Sequence, residues 1–559
     1  MNHTSILTLL RSGALEQAEK EYFRLGLDKD RSSEDVMALG GRILKARALE
    51  QQGAVRQRLA LQAAEKYGEA YAHTGGTYSG INMAALALVG GDQKTSHATA
   101  QAVLDALKES YAKPGADAYY HIATVAEAEL ISCNYANAER ALADAVALDP
   151  HNYAAHASTL HQFDMLLSAQ GHVNDWLMPF RPPKALHYAG HMFGTDGGNN
   201  ALDRSAVHAL ENAVDDRLEA ETIGAAYGAL AAGSDILIAE RLLEHGADLH
   251  VVQPCPDALF TEMSLLPYGR DWRARFDACM KAAASVRYIS KDPSLADELT
   301  CAFASETAKG LAVMYAKQLA TEAVQLLVWD GKTSDHPGGT ARDAQLWQQT
   351  GRRQLIVPYE FRRARAEDGA PWHESNRSLK AMLFADARGF GKLTEVQVPL
   401  FINHVFGALA SCLDHQCSAV RHINTWGDGL FFVFDTVAEA AEAAVTLQAC
   451  FRAIDFAEVG LPESMALRIG GHYGPVHALH DPFLKGTGVF GREVTVAARI
   501  EPVTAPGSVF VSEPFACALE AEGNPSFRCE PIGEAVPSKD QGPLTLFSLR
   551  KINLNDAAD

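Results

Sequence analysis

"MLFADARGFGKLTE", residues 382–395, runs as a short apolar strand into Asp386 and then turns on Arg388-Gly389-Phe390. A carboxylate at the tip of a buried strand is costly unless something compensates its charge. A turn-capping aspartate is one answer, because Asp commonly hydrogen-bonds the backbone just after it. A second stretch, "INTWGDGLFFVF" at 423–434, supplies another. It reads as a hairpin whose turn carries Gly427-Asp428-Gly429, so both aspartates sit at strand ends. Between them, "PLFINHVFGALASCLDHQ" (399–416) has helical spacing. A strand-helix-hairpin unit brings the first strand beside the hairpin, although the two aspartates are 42 residues apart in the chain. Two adjacent carboxylates repel unless a cation lies between them, and hard oxygen ligands favour magnesium or manganese. Asp386 is therefore read as a metal ligand.

Working outward, the 559-residue chain is longer than one core usually supports, and about three or four domains are expected. The 49 Lys and Arg are outnumbered by 69 Asp and Glu, a formal charge of -20, and no basic run is long enough to track a phosphate backbone. Nucleic acid is not expected as a partner. Nine cysteines without paired spacing suit reduced thiols and a cytoplasmic setting. No stretch approaches the roughly 18 apolar residues that span a bilayer, and the N-terminus lacks a signal-peptide pattern, so neither membrane insertion nor secretion is expected.

Residues 1–175 read as an all-α, repeat-like region, rich in Ala, Leu, Glu and Gln with apolar residues at three- and four-residue steps. In "NYANAERALADAVALDPHNYAAH" (134–156), Ala138, Ala141, Leu142, Ala145 and Leu148 form one face. This piece resembles a tetratricopeptide hairpin, as does "GALEQAEKEYFRLGLD" (13–28), and an ordinary helical bundle is the alternative. Either is a scaffold for a protein partner.

From 180 to 358 short apolar runs alternate with helical patterns: "PKALHYAGHMF" (183–193), "ADLHVVQP" (247–254), "AVQLLVWDG" (323–331) and "RRQLIVP" (352–358). Such alternation argues for a parallel sheet with helices on both faces, an α/β Rossmannoid domain. Gly233-Ser234-Asp235 is placed where a helix N-terminus would face a ligand at the strand ends, a crevice suited to phosphates or nucleotides. The segment resembles the SLOG and lysine-decarboxylase-like Rossmannoid families, which implies a nucleotide-derived ligand. If the crevice were instead an enzyme site, Asp235 and Glu240 would be its acids. Residues 359–377, polar and Arg-rich, read as a linker.

Residues 378–552 resemble the catalytic domain of class III nucleotidyl cyclases, an α+β ferredoxin-like fold. Four ordered motifs carry the resemblance: "LFADARGFGKLTE", "NTWGDGLFFVF", "LRIGGHYGPVHA" and "GVFGREVTVAARIEPVTAPGSVFVS". It implies that a nucleoside triphosphate is cyclised with release of pyrophosphate, using two Mg2+ or Mn2+ per site. Asp386 and Asp428 match the metal aspartates, and Ala387 the main-chain metal ligand. Arg388, Gly389 and Phe390 match the turn near the triphosphate, and Arg499 the arginine that stabilises the transferred phosphate. The family's site is shared across a head-to-tail dimer, which implies a homodimer here.

The sequence also departs from the family. Asn424 stands where adenine-selective members carry lysine, Gly488 (or Thr487, one residue away) where its base-recognition partner stands, and Thr495 where the transition-state asparagine stands. Neither the usual adenine pair nor the usual guanine pair is present, and the base is not legible. A catalytically degenerate cyclase-homology module, binding nucleotide or serving as a dimerisation and regulatory domain, is the competing expectation. His472, His477, His480, Cys412, Cys417, His415 and Arg492 are assigned to packing or the surface.

Overall fold

A computed structural model describes residues 6–7, 9–10, 15–49, 51–109, 118–195, 199–292, 295, 297–333, 339–360, 376–416, 419–535 and 542–552. The first region is built of antiparallel helices, including Gly53–Thr74, Thr77–Val89, Gln93–Glu109, Ala118–Ile131, Tyr135–Leu148 and Tyr153–Gln170. On Tyr135–Leu148, Ala138, Leu142 and Ala145 are buried as their spacing implies. Leu148 is not: it is the last residue of the helix, before the Asp149 cap, and is 56 % exposed.

The second region contains six strands, β1 Lys184–Gly190, β2 Ile223–Gly228, β3 Asp248–Gln253, β4 Ser285–Tyr288, β5 Ala323–Trp329 and β6 Gln354–Pro358. They form one all-parallel sheet in the order β4-β3-β2-β1-β5-β6. Strand order reverses between β1 and β5, which opens a crevice at the carboxyl ends of those strands. Helices cover both faces. One side packs Leu186, Leu237, Leu249 and Trp272; the other seats the helix Glu298–Gln318 by Ala304, Ala308 and Ala312 against Ala185, Ala225 and Tyr227. Strands β2 and β4 were not legible. "IGAAYG" has little β-branched character, and "SVRY" is short and mostly exposed, so neither carries the usual strand signal. Residues 361–375, within the expected linker, lie outside the described residues.

The third region is a mixed sheet of β7 Ser378–Arg388, β8 His422–Trp426, β9 Gly429–Phe434, β10 Ala466–Asp481, β11 Gly486–Phe490, β12 Val509–Ser512, β13 Phe527–Ala535 and β14 Leu544–Lys551. The order is β13-β14-β12-β10-β7-β9-β8, with β11 pairing the far end of β10 as an arm. One face is thickly covered by the helical segment 397–416 and the helices Val437–Arg452 and Glu513–Glu522. The other carries the smaller cluster of Met382, Phe384, Phe431, Val433, Val476 and Ala497 under the helix Arg492–Ile500.

Cys412 and Cys450 correct the reduced-thiol expectation: they are joined as a disulfide, Cα atoms 6.8 Å apart, across two packed helices 38 residues apart in sequence. Sequence spacing alone could not reveal that neighbourhood. Cys417 lies outside the described residues.

The helix Glu298–Gln318 serves two domains, and we call it the bridging helix. While its alanine face lies on the parallel sheet, Gly310 approaches the main chain of Cys517 so closely that a Cβ there would sit 2.3 Å from a carbonyl oxygen. Lys317 pairs with Glu520, the Tyr473 hydroxyl donates to Glu306 at 3.1 Å, and Phe303 meets the Tyr473 ring edge-on. At its start, the Asp297 cap holds Arg377 at 2.7 Å, one residue before β7 begins. Gly310→Ala should therefore destabilise the chain by about 1–3 kcal/mol through overpacking, against the usual helix-propensity gain of about 1 kcal/mol. Gly407→Ala, with open space around it, should be neutral or stabilising. Denaturant midpoints of the two variants check the pair.

Candidate active site

Strand β7 is buried through Ala385, and its penultimate residue Ala387 is 1 % exposed, so Asp386 between them is fixed by the strand on both sides. Beyond it the chain must turn at once. Gly389 does so at φ +103°, a conformation that side chains disfavour, and Phe390 then packs against Phe401, ring centroids 5.0 Å apart. Asp428 lies in the two-residue turn that joins β8 to β9, where Trp426 pairs with Gly429 and Gly427 supplies φ +64°. Because β9 runs beside β7, the turn brings the two carboxyls together.

Their repulsion is visible in Asp428. Burial, and then the charge of Asp386, raise its carboxyl from the ordinary range to about 6. On the other side of β7, Arg468 stands directly opposite Asp386 in the β10 register and donates to its Oδ2 at 2.6 Å. The same guanidinium lies 2.9 Å from Glu501, a charge contact without hydrogen-bond alignment. Glu501 is pushed to about 7, mainly by burial, with Arg468 opposing and the two aspartates adding to the rise. Arg468 and Glu501 were missed in the sequence. The available signals were a lone charge inside the apolar strand "ALRIGGHYG" and a carboxylate just past Arg499.

Arg499 and Thr495 lie four residues apart on the helix Arg492–Ile500, hence on one face. Arg499 reaches the Gly542 carbonyl at 3.5 Å, and Thr495 is exposed. Asn424, on β8, turns its side-chain oxygen onto the Thr425 amide at 2.9 Å. Thr487 and Gly488 belong to β11, opposite His480 and Leu479 of β10. Thus one chain unites Asp386, Ala387, Asp428 and the Arg388-Gly389-Phe390 turn, while Asn424, the β11 pair and the Thr495–Arg499 face lie on other elements. His472 is held between Ser512 and Glu493, each at 2.7 Å, and has no role at the carboxylates. Among the described residues no group of three or more His, Cys, Asp or Glu is arranged to hold a metal ion.

Comparisons with known proteins find similarity to cyclase catalytic domains at this end of the chain. Residues 375–550 match the family model of the adenylate and guanylate cyclase catalytic domain. Residues 10–176 match that of the MAP3K TRAFs-binding domain. A curated protein from Rhizobium meliloti (strain 1021), "Putative adenylate cyclase 3", is 32% identical over 144 residues, which cover 24% of this chain and 22% of the relative. The chain thus spans only about a fifth of that relative's length. Among solved structures, the adenylyl cyclase CyaB from P. aeruginosa is 16% identical, covering 31% of this chain and 94% of that one at a TM-score of 0.27. The guanylyl cyclase Cya2 is 23% identical, covering 32% and 95% at a TM-score of 0.27.

The raised carboxyl of Asp428 has a thermodynamic consequence. At pH 7 it is ionised in folded and unfolded chains alike, and its repulsion opposes folding; below about pH 4 it is protonated in both and the penalty is gone. Asp428→Asn should therefore raise the melting temperature at pH 7, with the gain fading as pH falls from about 6 to 4. Equal melting temperatures at neutral pH would show that the carboxylate pair is not strained.

Proposed function

We propose that the chain is a nucleotidyl cyclase of intracellular signal transduction, converting a nucleoside triphosphate to a 3',5'-cyclic nucleotide and pyrophosphate at two equivalent sites of a cytoplasmic homodimer. The observation that carries the reading is the convergence of Asp386 and Asp428, with the Asp428 carboxyl lifted to about 6. That donor set, two carboxylates beside the Ala387 main chain and completed by substrate phosphates, fits Mg2+ or Mn2+. Two such ions would be held by Asp386, Asp428 and the Ala387 carbonyl, and when bound they supply charge neutralisation for the triphosphate and the ribose 3'-oxygen.

The chain's own groups do the rest. In the step, the 3'-oxygen forms a bond to the α-phosphorus, the bond to the pyrophosphate leaving group breaks, and the hydroxyl proton passes to solvent. The turn at Arg388, Gly389 and Phe390 offers main-chain N–H groups to the triphosphate. Arg499, a planar permanent cation, neutralises charge on the transferred phosphate, with Thr495 donating a hydrogen bond from the same helix face. Asn424 and the Thr487-Gly488 segment border the base, and their lack of charge leaves the choice of base weakly enforced. The second subunit's contribution is supported by the β10–β11 arm, where Phe483 is 92% exposed and Leu484 65%. Ile423 and Trp426 expose further apolar surface on β8. Apolar surface of this kind suits a partner subunit.

The parallel-sheet domain acts in this reading as a ligand sensor, and the N-terminal helices as the seat of a protein partner. A degenerate cyclase-homology module is the second reading; the observation in its favour is that Arg468 already neutralises Asp386.

Incubating the chain with each ribonucleoside triphosphate and Mn2+ should give a cyclic product and pyrophosphate, resolved by mass. Asp386→Ala, Asp428→Ala and Arg499→Ala should each abolish it. Mixing the Asp386→Ala and Arg499→Ala chains should recover about a quarter of the wild-type rate, since random pairing makes half the dimers hybrid with one intact site of two. No product from any triphosphate supports the degenerate module; product without recovery in the mixture removes the shared interface.

A further inference from the structure

The Cys412–Cys450 bond lies on the wall of a cleft of about 1080 Å3 between the N-terminal helices and the C-terminal domain. Leu15, Val55 and Leu59 line one side, and the two cysteines and Gly507 the other. At about 30 Å3 for each water-sized group, the space admits a molecule as large as a tripeptide thiol. Both cysteines are half-buried, so the bond is sheltered from bulk solvent yet open to the cleft.

The other described cysteines are placed differently. Burial raises the thiols of Cys255, Cys279 and Cys517 to about 12, and lifts Cys301 and Cys529 well above the ordinary range. Such thiols form little thiolate and exchange slowly. Cys133 is exposed, in the turn before the helix Tyr135–Leu148, far along the chain from the cleft's sulfur pair.

The cleft is rich in cations. Arg47, Arg452, Arg550 and Lys551 line it beside one acid, Glu442, which Lys551 meets at 2.5 Å. Glu19 and Glu530, outside the lining, pair with Arg47 and Arg550. Arg452, two residues beyond Cys450, makes no ion pair among the described residues and donates to the Gly507 carbonyl at 2.8 Å. Positive charge of this kind favours an attacking thiolate and draws in an anionic reductant.

The position of the bond in the chain gives it a mechanical meaning. It spans 38 residues, and the loop it closes contains β8, the Gly427-Asp428-Gly429 turn and β9. β8 is the edge strand of the sheet, and none of its five residues is buried. Asp428 thus stands on a hairpin that the sheet grips along β9 alone, with the covalent loop restraining the rest. The helical segment carrying Cys412 also carries Phe401, which packs on Phe390 in the turn after Asp386. The bond therefore ties together the supports of both carboxylates. Breaking it leaves the two helices packed, because Leu409, Leu413, Ala440 and Leu447 share one core, but releases the restraint on the hairpin.

We propose that Cys412–Cys450 is a reversible thiol–disulfide exchange site, addressed through the cleft by a small anionic thiol, and that its reduction frees the β8–β9 hairpin that carries Asp428. In the step, a thiolate of the reductant bonds to one Sγ and the Cys412–Cys450 bond breaks, releasing the other cysteine as thiolate. A second reductant thiolate then attacks the external sulfur of the mixed disulfide. Two external thiols leave as one disulfide, and their two protons end on Cys412 and Cys450. Exchange and release of the hairpin stand independently of the cyclase reading; only an effect on turnover rests on it.

The test uses the full folded chain, treated with millimolar glutathione, alkylated with iodoacetamide and mapped by peptide mass. The peptide pair linked through Cys412 and Cys450 should disappear under native conditions and return with oxidised glutathione, while Cys255, Cys279 and Cys517 stay unalkylated. A linked pair that opens only in denaturant, or two cysteines never linked, overturns the site. At equal thiolate concentration, anionic mercaptoethanesulfonate should open the bond about threefold or more faster than cationic cysteamine; equal or reversed rates overturn the charge assignment. The hairpin is read by hydrogen exchange over residues 422–434, which needs no turnover. Reduction should quicken exchange there by about tenfold or more and leave β1 and β5 unchanged. Cys412→Ser and Cys450→Ser should each show the fast exchange without reductant and no further response to it, and the wild-type comparison needs neither variant to fold. Reduction confirmed by mass with exchange unchanged over 422–434 overturns release of the hairpin, whatever the cyclase assays give.

Discussion

Charge balance at the end of β7 is the constraint on which the C-terminal domain depends. Asp386 and Asp428 are forced together by the β7–β9 pairing and by a turn too short to separate them. Without compensation two half-buried carboxylates would open the sheet at its centre. Arg468 compensates one of them by standing opposite in register, and Glu501 is drawn into the same cluster through that guanidinium. The arrangement leaves Asp428 as the under-compensated member, and burial together with the charge of Asp386 lifts its carboxyl to about 6. The fold tolerates this cost in a cleft bordered by a glycine turn, where perturbed carboxyls tend to mark functional sites.

A cavity of about 300 Å3 at the β1/β5 switch point of the parallel sheet obeys the same electrostatics by a different route. There Asp343 is neutralised from within by Lys309, His187 is deprived of its proton by burial, and Asp235 retains one. The C-terminal cleft keeps two carboxylates side by side, whereas at the parallel sheet Asp343 is paired and Asp235 is held protonated.

Local signals made much of this legible. The apolar run into Asp386, the Gly-Asp-Gly hairpin and the helix over 399–416 are each written in a few consecutive residues, with glycines where positive φ is required. Runs such as "AVQLLVWDG" likewise announce buried parallel strands. What stayed hidden depends on partners far apart in sequence. Strand β2 is held by its neighbours rather than by its own Gly- and Ala-rich composition. Arg468 becomes meaningful only when antiparallel register sets it against Asp386, 82 residues away. The Cys412–Cys450 pairing is set by the packing of two helices, and the burial of Asp235 follows only once helices from four parts of the chain enclose it.

Gly310 sets a limit on modularity. Where a side chain would normally separate two helices, the backbone of the bridging helix rests almost on the backbone at Cys517. Apolar partners on both sides of that seam, Phe303 and Tyr473 among them, are buried by it. Domains joined through a flexible tether can be exchanged between proteins by recombination; a domain whose core is finished by its neighbour's helix cannot be moved without taking that helix along. The hereditary unit of this chain is therefore the parallel-sheet domain together with the C-terminal domain, and a cut between them would leave a hydrophobic scar on each piece.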